Sequence, residues 1–303
     1  MTARSPLVGL LLALALTGCQ ESSTTPASPA SGASGFHRPA GETGGSSTPP
    51  PQSSSSTPGL GPTPTSGPGT VPPSWLGTRV LPRRPDGYGR ARKTPRALDP
   101  RRFTLPDTLP PLPGAGFASE VAAVPAGVLA RSTWAPGCPV AAAELAYVRL
   151  TFWGFDDRRH TGELLVHASV ADDLVSVFRT LYRERFPLEE LRVTRRDELE
   201  APPTGDGNGT GSFVCRPTTG SSSAYSQHAY GLAIDLDPFQ NPYVKGDLVL
   251  PELASSYADR DRHRPGMITA DGVVVRAFAR IGWTWGGTWR SLKDYQHFSQ
   301  NGR

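Results

Sequence analysis

The sequence predicts an α+β fold, a small antiparallel sheet with flanking helices, preceded by a long disordered N-terminal tail. Three observations carry that expectation. Leu145 to Phe152 alternates apolar and polar residues as a half-buried strand does, and Glu163 to Ala168 reads as its hairpin partner. Leu174, Val177, Phe178 and Leu181 recur at the spacing of one helical face. From Gln20 to about Pro73 the chain is Ser, Thr, Pro, Gly and Ala with little apolar content, so it cannot bury enough surface to offset its ordering entropy.

A chain of 303 residues admits two domains by length, but its 32 prolines and 33 glycines crowd the first third, so the core must lie later. The expected divisions are 1–19, a secretion signal; 20–115, the tail and a basic linker; and 116–303, the folded domain. Leu7 to Leu16 is apolar behind Arg4, a run too short for a stable membrane span. Leu16-Thr17-Gly18-Cys19 follows and resembles the bacterial lipoprotein signal, which predicts lipidation of Cys19 and a membrane anchor through it. Arg79 to Arg102 carries seven Arg and Lys side chains after Arg79 and before Arg102 (83, 84, 90, 92, 93, 96 and 101) against Asp86 and Asp99, and prolines interrupt it; it reads as a solvated basic linker. The overall charge, 31 − 27 = +4, argues against a nucleic-acid binder. A monomer is expected.

Within the domain, Ser169-Val-Ala-Asp172 resembles a capping box that opens a helix ended by Pro187. Leu188 to Thr194 is expected as a short strand, followed by a Gly/Asn-rich loop from Gly205 to Gly211. Leu232 to Asp237 is expected as a strand with Asp235 facing away from the core residues. A second helix spans about Gly272 to Ala279, with Asp271 as cap and Gly282 at its end. Trp283 to Trp285 and His297 to Ser299 complete the strands. For an exported chain Cys138 and Cys215 are expected to pair, which would contribute about 4 kcal/mol by loop closure. The rival is Cys215 as a nucleophile, but no cysteine-protease pattern surrounds it.

The chemistry concentrates in Ser226-Gln-His228-Ala-Tyr-Gly231-Leu-Ala-Ile-Asp235 and Asp294-Tyr-Gln-His297. His228, Asp235 and His297 are the donor types that hold a zinc ion and leave a fourth tetrahedral position for water. Asp294, three residues before a ligand, is placed to accept a proton. Ser226 serves a turn, orients His228 or meets substrate. Asp237 is a candidate partner for a ligand. Trp283 and Trp285 lie two apart as core or site wall, and Trp285 is the one assigned to substrate. His160 and His167 fall in or beside the hairpin strands, and His37 and His263 are surface residues.

Ser226-x-His228-x-x-Gly231-x-Ala233-x-Asp235, Trp285-Gly286-Gly287-x-Trp289 and Asp294-x-x-His297-Phe298 together resemble the VanY-type D-alanyl-D-alanine carboxypeptidases and related L-alanyl-D-glutamate endopeptidases. These are zinc peptidases that share a fold with the hedgehog signalling domain. The likeness runs from about Leu145 to Phe298 and includes Gly154-Phe155, Gly162-Glu163 and Asn241-Pro-Tyr243. It implies Zn²⁺ on His228, Asp235 and His297, Asp294 as catalytic base, and Arg216 as the arginine that steadies substrate or oxyanion. It also implies peptidoglycan stem peptides as substrates of an exported enzyme, by terminal or internal cleavage. The alternative is a catalytically inactive cell-wall-binding lipoprotein of the same fold.

Overall fold

The computed structural model describes residues 67, 69–218 and 224–303. Cys19, His37 and most of the Ser/Thr/Pro-rich tail lie outside the described residues. The fold is α+β. Its largest sheet holds β1 (Ser119–Ala123), β2 (Leu145–Gly154) and β3 (Arg159–His167), antiparallel in that order, with β4 (Pro187–Leu188) parallel to the end of β2. Two three-stranded sheets follow. One orders β5 (Ala233–Asp235), β10 (His297–Ser299) and β8 (Thr284–Trp285); the other orders β7 (Leu248–Leu250), β6 (Tyr243–Lys245) and β9 (Lys293–Asp294). The helices are α1 (Ala126–Arg131), α2 (Ala171–Arg183) and α3 (Val273–Arg280).

The alternation in β2 sorts its side chains onto two cores. Ala146, Val148, Leu150 and Phe152 join the main core with α2 and α3, whereas Leu145 and Tyr147 join a second cluster with Val140, Leu165, Val193 and Phe213. Both faces are therefore covered, and nearly every residue of the strand is buried. The α2 stripe enters the main core as its period predicts, with Leu174, Val177, Phe178 and Leu181 at 2% exposure or less.

Several local expectations differ from the structure. Ser169 does not cap α2: a single 3₁₀ turn, Ala168–Val170, precedes the helix, and Ser169 Oγ instead meets His167 Nδ1 at 2.7 Å. Gly272, not Asp271, stands at the N-cap of α3 and forms no side-chain cap. The 188–194 segment is strand only at Pro187–Leu188, with an isolated bridge from Leu191 to Thr210.

The largest difference is at the domain boundary expected near 116. Leu81, Leu98 and Phe103 are buried with Phe239, Leu253, Tyr257 and Met267, so the chain packs well before that point. Arg101, in the run read as a solvated linker, is 1% exposed and forks onto Glu189 at 2.5 and 2.6 Å. Its third nitrogen donates to the Asp206 carbonyl at 2.7 Å. A buried guanidinium with all its partners present acts as a strut through the fold, not as a surface charge.

Candidate metal centre

Backbone register brings two of the motif residues together. In the antiparallel pairing of β5 and β10, His297 stands directly opposite Asp235, and Phe298 stands opposite Ile234. Cross-strand neighbours on one face approach to within about 5.5 Å between Cβ atoms. Ile234 and Phe298 fill the main core on the opposite face. His228 arrives on a 3₁₀ turn, Gln227–Tyr230, whose cap is Ser226: its Oγ accepts from the His228 amide at 3.3 Å. Gly231 ends the turn at φ +69°, and a Cβ there would lie 2.5 Å from the His167 amide nitrogen. Only glycine combines that left-handed backbone with so close an approach, so the His-x-x-Gly spacing is a folding requirement.

The three donor atoms form a tight triangle. His228 Nε2 is 3.2 Å from His297 Nδ1 and 3.3 Å from Asp235 Oδ1, and His297 Nδ1 is 3.1 Å from Asp235 Oδ1. Ligands at 2.0–2.1 Å around a tetrahedral zinc ion stand about 3.3–3.4 Å apart, close to these edges. The outer nitrogens say how the rings are protonated. His228 Nδ1 donates to the Ser212 carbonyl at 2.6 Å, and His297 Nε2 donates to the main-chain oxygen of Arg303 at 3.2 Å. Carbonyls only accept, so the outer nitrogen of each ring carries a proton and the inner nitrogen is the one a metal would take. Three electron-rich atoms converging in this way suit a cation, and the residues fit zinc.

The electrostatics agree. Burial raises the cost of charge on Asp235, yet the two imidazoles outweigh it and hold its carboxyl well below the ordinary range. Burial alone would lower the basicity of His297, but hydrogen bonding to Asp235 and the charges of Asp235 and Asp294 raise it above its ordinary 6.5.

Asp294 lines the same cavity, of about 470 Å³, as do Arg216 and Ser226. It sits on β9 opposite Tyr243, and its Oδ1 is buried without a hydrogen-bond partner among the described residues. Burial and the nearby Asp235 carboxylate push its carboxyl up to about 7, the range a neutral-pH proton carrier needs. Gly286 permits the placement, since a Cβ on it would come within 2.6 Å of the Asp294 carbonyl oxygen.

Cys138 and Cys215 are disulfide-bonded, with Cα atoms 5.9 Å apart, which leaves no thiol nucleophile at Cys215. Trp285, expected on the substrate side, is instead 6% exposed in the main core, where it stacks on Phe298 and donates to the Tyr295 carbonyl at 2.8 Å. Trp289 takes the wall position, its ring 5.4 Å from that of His297. Asp237 does not support a ligand either. At φ +40° it leaves the strand, and its Oδ1 accepts from the Glu189 amide at 3.1 Å. His160 lies between Asp107 and Asp156, and His167 meets Ser169, so neither joins the centre. Tyr243 and Trp289 are cavity residues that residue-by-residue reasoning passed over, although both sit inside motifs the sequence displays. Asn241 of the Asn-Pro-Tyr motif is buried and donates to the Leu236, Asp237 and Gly266 carbonyls, which shapes the loop after β5.

A His-Asp-His triad on a small sheet, faced by a buried carboxylate and an arginine across one cavity, is a candidate metallohydrolase centre. Residues 219–300 match the family model described as D-alanyl-D-alanine carboxypeptidase, which is a peptidase family. The matched stretch contains His228, Asp235, Asp294 and His297. No curated protein and no solved structure matches the chain.

Proposed function

We infer that this chain is a zinc-dependent peptidase that hydrolyses peptide bonds in peptidoglycan stem peptides, as a D,D-carboxypeptidase or an endopeptidase. The observation that carries the reading is the tight triangle of ligand atoms on His228, Asp235 and His297, with the buried Asp294 carboxyl on the same cavity. The family match over these residues supports the substrate class, and the ordered motifs support the VanY-type branch within it.

His228, Asp235 and His297 would hold a zinc ion, which would supply Lewis-acid polarisation and a nucleophile at neutral pH. The chain's own residues supply the rest. Carbonyls hold the outer protons of His228 and His297, which turns their inner nitrogens to the metal position. Asp294, with a carboxyl near 7, takes the proton of the attacking water and returns it to the leaving amine. Arg216 offers donors to a substrate carboxylate or to the oxygen on which charge grows. Ser226 serves the turn that presents His228.

The apolar run before Cys19 supports an exported protein tethered by a lipid on that cysteine to the outer face of a bacterial membrane. The direct test is mass spectrometry of muropeptides digested by the purified chain, beside its zinc content. Release of D-Ala or of new amines, with zinc lost in His297→Ala, is the expected result. A metal-free wild type of full activity rejects the reading.

A further inference from the structure

The disulfide lies at one end of a brace that reaches the cavity wall. Cys215 immediately precedes Arg216, and Phe213, two residues earlier, is anchored in the second apolar cluster beside both cysteines. Between them, the Val214 amide donates to the His228 carbonyl at 3.1 Å, so this strip runs alongside the metal ligand. Beyond Arg216, Pro217 bridges Tyr225, and the Ser226 amide donates to the Arg216 carbonyl at 3.2 Å. Arg216, Tyr225 and Ser226 all line the cavity.

The other end of the brace is the loop that carries Cys138. It holds this flap at three points. The disulfide joins Cys138 to Cys215, the Cys215 amide donates to Thr133 Oγ1 at 2.9 Å, and the Tyr225 hydroxyl donates to the Gly137 carbonyl at 2.9 Å. The loop is itself fixed, since Thr133 is 3% exposed and the Trp134 indole donates to the Val140 carbonyl at 3.1 Å. None of 133–138 lines the cavity. Asp235 and His297 are seated apart from this strip, on β5 and β10, whereas His228 touches it through the Val214 amide and the Ser226 cap.

We propose that the Cys138–Cys215 cross-link is a positioning device for substrate recognition: it sets Arg216 and Tyr225 on the cavity wall, while the sheet holds Asp235 and His297. This rests on the reading that Arg216 meets substrate. An arginine fork recognises a carboxylate only when its backbone is held, because a displaced guanidinium loses its paired hydrogen bonds.

The test uses the full chain with both cysteines replaced, C138S/C215S, assayed on soluble peptidoglycan stem pentapeptides. Zinc content should stay at the wild-type value and kcat within about twofold, while KM rises about tenfold, the cost of one misplaced charge-assisted hydrogen bond. In an Arg216→Ala background, loss of the cross-link should add nothing further to KM, since both changes remove the same interaction. Hydrogen exchange should quicken at the amides of 214–216, 218 and 224–226 and stay unchanged in β5 and β10. Thr133→Val removes one brace point without touching the disulfide, and should raise KM about threefold if the double variant does not fold. An unchanged KM in the folded variants, a loss of zinc, or unchanged exchange in the flap overturns the proposal. If the wild type cleaves no stem peptide, the peptidase reading falls, and the exchange measurement still decides the positioning claim.

Discussion

Two carboxylates that face one cavity are driven in opposite directions by their neighbours. Asp235 is held as an anion by two imidazoles, while Asp294, buried and beside that anion, binds a proton more readily. This separation suits Asp235 to a ligand's role and Asp294 to a proton carrier's. Asp294→Asn is nearly isosteric but cannot accept the proton, so kcat should fall by about 10²- to 10⁴-fold with zinc content unchanged. Stopped assays beside elemental analysis check both halves, and an unaltered kcat dismisses Asp294 as the base. If the triad takes zinc, that binding should carry a signed pH dependence. In the metal-free protein the proton on His297 is favoured by Asp235, so its raised pKa adds stability below pH 6.5 that is lost as pH rises through the folded value. Zinc must displace that proton, so the zinc-induced gain in melting temperature should grow from about pH 6 to about pH 8. Calorimetry showing a gain that is flat or falling with pH contradicts the ligand geometry.

At the scale of elements, the site depends on short pieces whose register matters more than their length. β5 and β10 have three residues each, yet one antiparallel pairing sets His297 opposite Asp235 and packs Ile234 and Phe298 behind them. A one-residue slip of either strand would send its own site residue to the core face. The 3₁₀ turn that presents His228 is closed by Gly231, whose φ of +69° and contact with the first sheet no other residue tolerates. Gly231→Ala should cost more than about 1 kcal/mol in urea denaturation and weaken zinc binding at the same time. A loss confined to stability, with zinc affinity intact, shows that the turn does not seat His228. The alternation and the helical stripe made the main hairpin and α2 legible from the sequence, because both patterns arise from local geometry. The cap of α2 was not legible, since Ser169 had a second partner in His167.

For the whole molecule, the 69–113 segment changes what counts as the folded unit. Its proline-rich, basic composition reads as a linker, yet Leu81, Leu98 and Phe103 complete an apolar cluster and Arg101 closes a buried ion pair with Glu189. The Glu189 side chain is fully buried. Arg101→Ala leaves that carboxylate unpaired, and should cost about 3–5 kcal/mol of unfolding free energy by chemical denaturation. A loss under about 1 kcal/mol, the range of an exposed pair, removes the strut from this account. The sequence alone determined the α+β class, the hairpin, the helical stripe and the donor set His228, Asp235 and His297 with Asp294 beside it. It could do so because periodicity and residue chemistry are local properties of the chain. Only the tertiary structure decided that Trp289 and not Trp285 walls the cavity, that Asp237 turns away to Glu189, and that Arg101 is internal. Those outcomes depend on distant partners, such as Asp206, 105 residues from Arg101, and burial is set by what packs around a side chain rather than by its neighbours in the chain.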